Sequence, residues 1–262
     1  MKTRLVASVV LVAEMLCAGD FHDWKGKCVI FLGDSITDAH HIGCATNYWG
    51  FLETRMGFQA HVYGINGWQM NGIPVQLETA RHELGDKVDA VFIFAGTNDF
   101  NGDVPLGDSF SYDEDEICKN GKTVRLKRRT PSFDAGTFCG RLNMSLRAVK
   151  TTYPRAQVVL LTPLHRGYAE FGKTNVQPDE RYANAQGLYI DDYVSAVRAA
   201  GQRWSVPVID LYSECGILPT LAEYDDCVAH PSRDRLHPST VGHERLARVL
   251  EMRLLTMPST MK

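Results

Sequence analysis

Ser35 is the residue of this chain best placed to act as a nucleophile. It lies in Phe31-Leu32-Gly33-Asp34-Ser35-Ile36-Thr37-Asp38, directly after the apolar run Cys28-Val29-Ile30-Phe31-Leu32. A short apolar run closed by glycine reads as a buried strand, and open α/β sheets bind their ligands at the carboxyl ends of strands. A serine there can present its hydroxyl beside the N–H groups that open the next helix. That hydroxyl is a weak nucleophile until a base takes its proton and a third group orients the base. Asp234-Arg235-Leu236-His237-Pro238 supplies both, far along the chain. Three residues apart on a loop or helical turn, Asp234 can hold the His237 ring and stabilise its imidazolium, as in Ser-His-Asp triads. Singly, each has a plainer reading: Asp34 or Ser35 as a helix cap, Asp234 as a turn cap, His237 as a surface residue. Together they point to acyl transfer.

Acyl transfer also needs donors for a developing oxyanion. Residues 88–95 read as a second buried strand ending in Gly96-Thr97-Asn98-Asp99, which puts Asn98 on the same sheet edge as Ser35. Its amide offers two N–H donors. Gly64-Ile65-Asn66-Gly67 follows a strand expected over 60–63, and glycine allows close approach of a backbone N–H to a ligand. Alone, these glycines specify a turn and Asn98 an Asx-turn.

The four segments, in this order, resemble the SGNH hydrolases of the GDSL esterase/lipase superfamily, named for a Ser, a Gly, an Asn and a His. Gly33-Asp34-Ser35-Ile36 matches the first block, Gly67 the second, Gly96-Thr97-Asn98-Asp99 the third and Asp234 to Pro238 the fifth. The blocks run from residue 31 to 238, and Ile36 stands where the family name has Leu. The resemblance implies a serine esterase with Ser35, Asp234 and His237 as catalytic residues. It implies an oxyanion hole made by Ser35, Gly67 and Asn98, and chemistry that needs no metal or organic cofactor. It also implies a flavodoxin-like α/β/α sandwich.

The elements that must position these residues follow from alternation. Strands are expected at 28–33, 59–64, 88–96, 156–163 and 206–210, and helices at 46–57, 71–85, 135–153, 183–202 and 239–256, with Pro154, Pro163 and Pro207 at boundaries. Strand and helix in turn predict an α/β fold, a three-layer α/β/α sandwich around a mostly parallel sheet. At 262 residues and 44% hydrophobic, the chain makes one such domain over 19–262. The fold alone also suits a flavodoxin-like FMN binder.

A net charge of -3 gives no footprint for nucleic acid or an anionic membrane. No stretch approaches the roughly 20 apolar residues of a membrane span. At the N-terminus, Lys2 and Arg4 precede the apolar residues 5–13, with Ala18 as a cleavage site. A cleaved export signal over 1–18 is the leading expectation. A lipid anchor at Cys17 and an uncleaved segment remain open, because Glu14, Met15 and Leu16 fit neither signal well. The other six cysteines allow fifteen pairings; Cys215 with Cys227 and Cys118 with Cys139 are plausible, and Cys28 reads as a buried hydrophobe. Their spacings do not fit zinc, and His230, Asp234, His237 and His243 lack a ligand pattern.

Residues 100–133 form a long insertion, acidic then basic, with 122–127 alternating like an exposed hairpin. It either walls the site or is a solvated flap. His165, Arg166, Tyr168, Phe171 and Arg181 are candidate substrate contacts, as are His40, His41, Asn47, Tyr48, Trp49, Trp68 and Gln69. Aromatic faces among polar neighbours suit sugar rings, so the expectation is an exported carbohydrate O-acetylesterase acting on a small-molecule or polysaccharide ester. A lipid or lysophospholipid esterase, a thioester or arylester hydrolase, an acyltransferase and an inactive carbohydrate-binding module are the alternatives. The sequence does not set the oligomeric state.

Overall fold

The computed structural model describes residues 22–261; the expected signal over 1–18, with Cys17 and Ala18, lies outside the described residues. The chain runs β1 (Cys28–Gly33), α1 (Tyr48–Met56), β2 (Gln59–Val62), α2 (Ile73–Leu84), β3 (Ala90–Phe94) and the short α3 (Thr97–Asn101). It continues through β4 (Phe110–Lys119), β5 (Lys122–Pro131), α4 (Phe138–Thr152), β6 (Gln157–Leu161), β7 (Ala169–Glu170) and β8 (Val176–Gln177). It ends with α5 (Ile190–Trp204), β9 (Val208–Ile209), α6 (Leu211–Glu214), β10 (Val228–His230), β11 (Asp234–Pro238) and α7 (Thr240–Thr256).

Five strands pair in parallel in the order β2-β1-β3-β6-β9. These are the five strands that the sequence specifies, because a parallel sheet is covered on both faces and its strands are near-continuous apolar runs. Alternation along β1 sends Ile30 and Leu32 to one face, with Leu77, Leu142 and Val197 from α2, α4 and α5. Val29 and Phe31 go to the other, against Leu52, Leu246 and Leu250 of α1 and α7. The result is the three-layer α/β/α sandwich. The five long helices form where expected except that α5 begins later, at Ile190. There Tyr189 and Asp192 make a capping box, and Asn184 Oδ1 holds the preceding turn by accepting from the N–H groups of Gln186 and Leu188.

A second sheet, antiparallel in the order β10-β11-β7-β8, was not legible in the sequence. It changes the expected setting of Asp234 and His237, which lie on a strand and not on a loop or helical turn. A regular pleat would put residues three apart on opposite faces. Here the register slips between Val228 and His230, and Asp234 Oδ1 accepts from the N–H groups of Leu236 and His237 at 3.2 and 3.0 Å. The strand curls, and the two side chains meet.

The insertion is a ten-pair ribbon, β4 against β5 from Phe110↔Pro131 to Lys119↔Lys122. Arg128 joins the acidic and basic strands through Asp113 and Asp115. Its base is held by α4 and α5: Asn143 Nδ2 donates to the carbonyls of Ser109 and Ser132, and Arg203 lies over Phe110.

All six cysteines among the described residues are free thiols, which corrects both suggested disulfides. Cys118 lies near the exposed tip of the ribbon, about eight residues or ~26 Å of strand beyond its base, whereas Cys139 is buried in α4 near that base. Cys215 and Cys227 are both buried in the α1/α7 core as unoxidised side chains. Among the described residues no helix is long and apolar enough to cross a membrane.

Candidate active site

Strand β1 delivers Ser35 through a glycine that nothing larger could replace. A Cβ on Gly33 would lie 2.4 Å from the Phe94 carbonyl of β3. Gln76 of α2 clamps Gly33 from below, accepting from its N–H at 2.8 Å and donating to its C=O at 2.7 Å. The chain then turns sharply: Thr37 and Asp38 N–H donate to the Asp34 carbonyl, and Ile36 N–H donates to Asp34 Oδ1 at 3.1 Å. Ser35 is thereby held almost buried at the strand's carboxyl end.

Its Oγ lies 2.8 Å from His237 Nε2, and His237 Nδ1 lies 2.9 Å from Asp234 Oδ2. A carboxylate only accepts, so Nδ1 carries the ring proton and Nε2 is free to accept from the serine hydroxyl. Burial alone would push the Asp234 carboxyl up. The His237 hydrogen bond and charge and the two backbone N–H groups outweigh it, and the group sits below the usual carboxylate range. Asp34, next to Ser35, goes the other way: burial raises it to about 7 against the pull of the Ile36 N–H and of His237.

Gly67 and Asn98 are brought to each other. Asn98 Nδ2 donates to the Trp68 carbonyl at 2.9 Å, and Gln69 Nε2 returns a bond to the Asn98 carbonyl at 3.0 Å. One amide hydrogen of Asn98 stays uncommitted. Gly67 has φ +77, which explains the glycine, since a Cβ there would meet no other atom. Asp38 Oδ2 accepts from Asn66 N–H at 2.7 Å and so ties the Ser35 turn to the Gly67 loop. Asp99, fully buried, accepts from Met70 N–H and pairs with Arg141 of α4, both at 2.8 Å. Among the described residues, neither the Ser35 nor the Gly67 backbone N–H has a protein acceptor.

The other candidates divide. Asn47, Tyr48 and Trp49 are structural: they bond to Ile36, Asp38 and Thr37 and brace the Ser35 turn. His40 is paired with Asp38. Arg166 is buried, donating to Thr97 and Gln177 with its guanidinium over Phe100; burial lowers it to about 10, so it is still charged at neutral pH. His165 stacks on Tyr212 and pairs with Glu180, Tyr168 donates to Glu170, and the exposed Arg181 pairs with Asp179. Phe171 alone of this group reaches the triad, its ring 5.4 Å from that of His237. Sequence reasoning missed Gln76 and the Asp99–Arg141 pair. The available signal for Gln76 was a polar residue on the helix face of Ile73 and Ala80. Among the described residues no group of His, Cys, Asp or Glu could hold a metal ion; buried His243, pushed down to about 3, instead accepts from Tyr48 N–H.

Solved structures share this architecture. A Lactobacillus plantarum protein superposes with TM-score 0.69 at 24% identity, covering 88% of this chain and 97% of its own. A possible lipase from Chitinophaga pinensis gives 0.64 at 20% identity over 86% and 97%. An acetylxylan esterase from Geobacillus stearothermophilus gives 0.51 at 20% identity over 91% and 98%. No protein of curated function matches. The GDSL-like lipase/acylhydrolase family model matches residues 31–245, a span that holds Ser35, Gly67, Asn98, Asp234 and His237, and the chain belongs to that family of hydrolases.

Proposed function

We propose that the protein is a serine ester hydrolase that works through an acyl-enzyme, with small acyl esters of carbohydrate as substrates. The observation that carries the reading is the unbroken chain Ser35 Oγ–His237 Nε2–His237 Nδ1–Asp234 Oδ2, with links of 2.8 and 2.9 Å. His237 takes the Ser35 proton as Oγ attacks the ester carbonyl. The tetrahedral oxyanion is held by the N–H groups of Ser35 and Gly67 and by the uncommitted amide hydrogen of Asn98. His237 then gives the proton to the leaving alcohol as the C–O bond breaks. A water, deprotonated by the same ring, attacks the acyl-serine, and the second collapse returns the proton to Oγ and releases the acid. Asp234 stays ionised throughout, favoured by its low proton affinity in the fold.

Support for a sugar ester comes from the surroundings. A cleft of about 670 Å³ beside Asp234 and one of about 350 Å³ beside Phe100 both mix aromatic and polar side chains. An acetylxylan esterase among the similar folds is consistent with that choice. The basic and apolar residues at the N-terminus favour export. Hydrolysis of 4-nitrophenyl acetate and octanoate by the protein and by Ser35→Ala tests the reading. Turnover abolished in the variant with acetate preferred supports it; octanoate preferred moves the substrate to lipids, and equal rates from both proteins remove Ser35 from the chemistry.

A further inference from the structure

Residues 65–68 form a turn closed by the Trp68 N–H on the Ile65 carbonyl at 3.1 Å. Gly67, its third residue, has φ +77 while Asn66 has an ordinary φ, so the turn is type II. Types I and II differ by roughly a half-turn of the central peptide, here Asn66–Gly67, which reverses the direction of the Gly67 N–H. Glycine takes either sign of φ about equally well, so Gly67 does not make that choice itself. The anchors of the turn make it. Ile65 N–H donates to the Gly33 carbonyl at 3.1 Å, and Asn66 N–H to Asp38 Oδ2 at 2.7 Å. The Trp68 carbonyl accepts from Asn98 Nδ2 at 2.9 Å. Of the N–H groups in the turn, that of Gly67 alone has no protein acceptor among the described residues.

Asp38 is the shortest of these anchors and the one that carries charge. Its side chain is buried and both oxygens are used. Oδ2 takes Asn66, and Oδ1 takes the His40 N–H at 2.8 Å and pairs with His40 Nδ1 at 2.6 Å. Burial alone would push the carboxyl up. The His40 and Asn66 bonds outweigh it and hold the group below the usual carboxylate range, so it accepts as an ion at neutral pH. Its main chain is fixed too: the N–H donates to the Asp34 carbonyl at 2.9 Å, and the C=O accepts from Asn47 Nδ2 at 2.9 Å. An Asx-turn accounts for the bond to His40 N–H. It does not account for Oδ2, which reaches 28 positions along the chain to the Gly67 turn. We propose that Asp38 is a positioning residue of the oxyanion hole: by holding the Asn66 N–H it keeps the turn in its type II form and aims the Gly67 N–H at the developing oxyanion. The catalytic part of this role rests on the serine-esterase reading.

Kinetics on 4-nitrophenyl acetate test it, with Asp38→Ala and Asp38→Asn each made in the native and the Gly67→Ala backgrounds. Asp38→Ala should lower kcat by roughly tenfold to a hundredfold, no more than a lost donor costs, with KM within about twofold. Asp38→Asn keeps an oxygen for Asn66 and should recover most of that loss. A Cβ on Gly67 would meet no atom, so Gly67→Ala strains only the turn. In that background Asp38→Ala should cost no more than about twofold further, because both changes misdirect the same N–H. Losses that multiply would place the effect on the Ser35 turn and overturn the proposal, as would an unchanged kcat or a change in KM alone. Should Asp38→Ala not fold, Asp38→Glu keeps the charge, displaces the acceptor by one methylene, and should show the same loss in kcat. Amide exchange followed by NMR reads the clamp without turnover. The Asn66 N–H should be protected in the native protein and exchange about tenfold faster, or more, in Asp38→Ala; free exchange in the native protein overturns the clamp. A protected Asn66 in a native protein that leaves the ester uncleaved would instead sink the esterase reading, and Asp38 would be a fold contact only.

Discussion

Two buried carboxylates flank the Ser35–His237 pair, and their regions are built to opposite ends. Asp234, on the curled strand β11, meets the His237 ring and two backbone N–H groups and is held below the usual carboxylate range. Asp34, at the end of β1, is buried with the Ile36 N–H on its side chain and rises to about 7. The difference is one of depth and of partners: Asp34 is the more deeply buried and lacks the hydrogen-bonded imidazole that holds Asp234 down. The β11 carboxylate is kept charged by those partners, and in the proposed mechanism it orients the base. The β1 carboxylate shapes a turn, and the same burial that holds Ser35 in place disfavours its charge. In the proposed mechanism the parallel-sheet half of the site is thus a cradle for donors, and the small antiparallel sheet, with Asp234 and His237 on β11, is the carrier of the proton-transfer pair.

Breaking the carrier should cost most. His237→Ala is expected to lower kcat for 4-nitrophenyl acetate by roughly 10⁶, and Ser35→Ala with it should cost little more, because the pair acts as a unit; additive losses would argue for separate roles. Asp234→Asn keeps the shape but favours the wrong ring tautomer, and a fall of about 10⁴ in kcat is expected. Damage to the cradle should be milder. Asn98→Ala removes one oxyanion donor, and kcat should drop on the order of 10² to 10³ with little change in KM; near-normal turnover would remove Asn98 from the oxyanion hole.

Arg141→Met strands the buried Asp99 carboxylate, and urea unfolding should report a loss of about 3 kcal/mol. The smallest effect sharpens the comparison itself. Asp34 binds its proton more tightly in the fold than in the unfolded chain, whose value is near 3.8. Its stabilising contribution is complete below that value and is lost as pH rises to and past 7. Asp34→Asn should therefore match the native Tm near pH 4 and exceed it by a few degrees at pH 8. Asp234 has the reverse sign, contributing above its unfolded value and losing that contribution as pH falls through the folded one. A Tm difference for Asp34→Asn that shrinks with rising pH would contradict the assignment.

The sequence showed the large elements and the family, and it did so for a physical reason. A strand covered on both faces, such as 28–33 or 90–94, must be almost wholly apolar, and helices over it carry a matching stripe. Ser35, Gly67, Asn98, Asp234 and His237 could be picked out as candidates because each stands at a strand end or in a block of definite residue types. What stayed hidden was built from short or lone parts. Strands β7 and β8 have two residues each, too few for a period to register. The curl that joins Asp234 to His237 is made by side-chain-to-backbone bonds that no spacing rule anticipates. Gln76 and Arg166 are polar residues whose burial depends on partners 43 and 69 positions away. The suggested disulfides failed because cysteine count carries no distances, and the ribbon sets Cys118 far from Cys139.

The central claim is that Ser35 is a nucleophile activated by His237 and Asp234. Treating the protein with a fluorophosphonate and mapping the adduct by peptide mass spectrometry tests it most directly. The account predicts one adduct, on Ser35, formed at the rate at which esterase activity is lost and largely abolished in His237→Ala. An adduct at another residue, or undiminished labelling of Ser35 in His237→Ala, would contradict it.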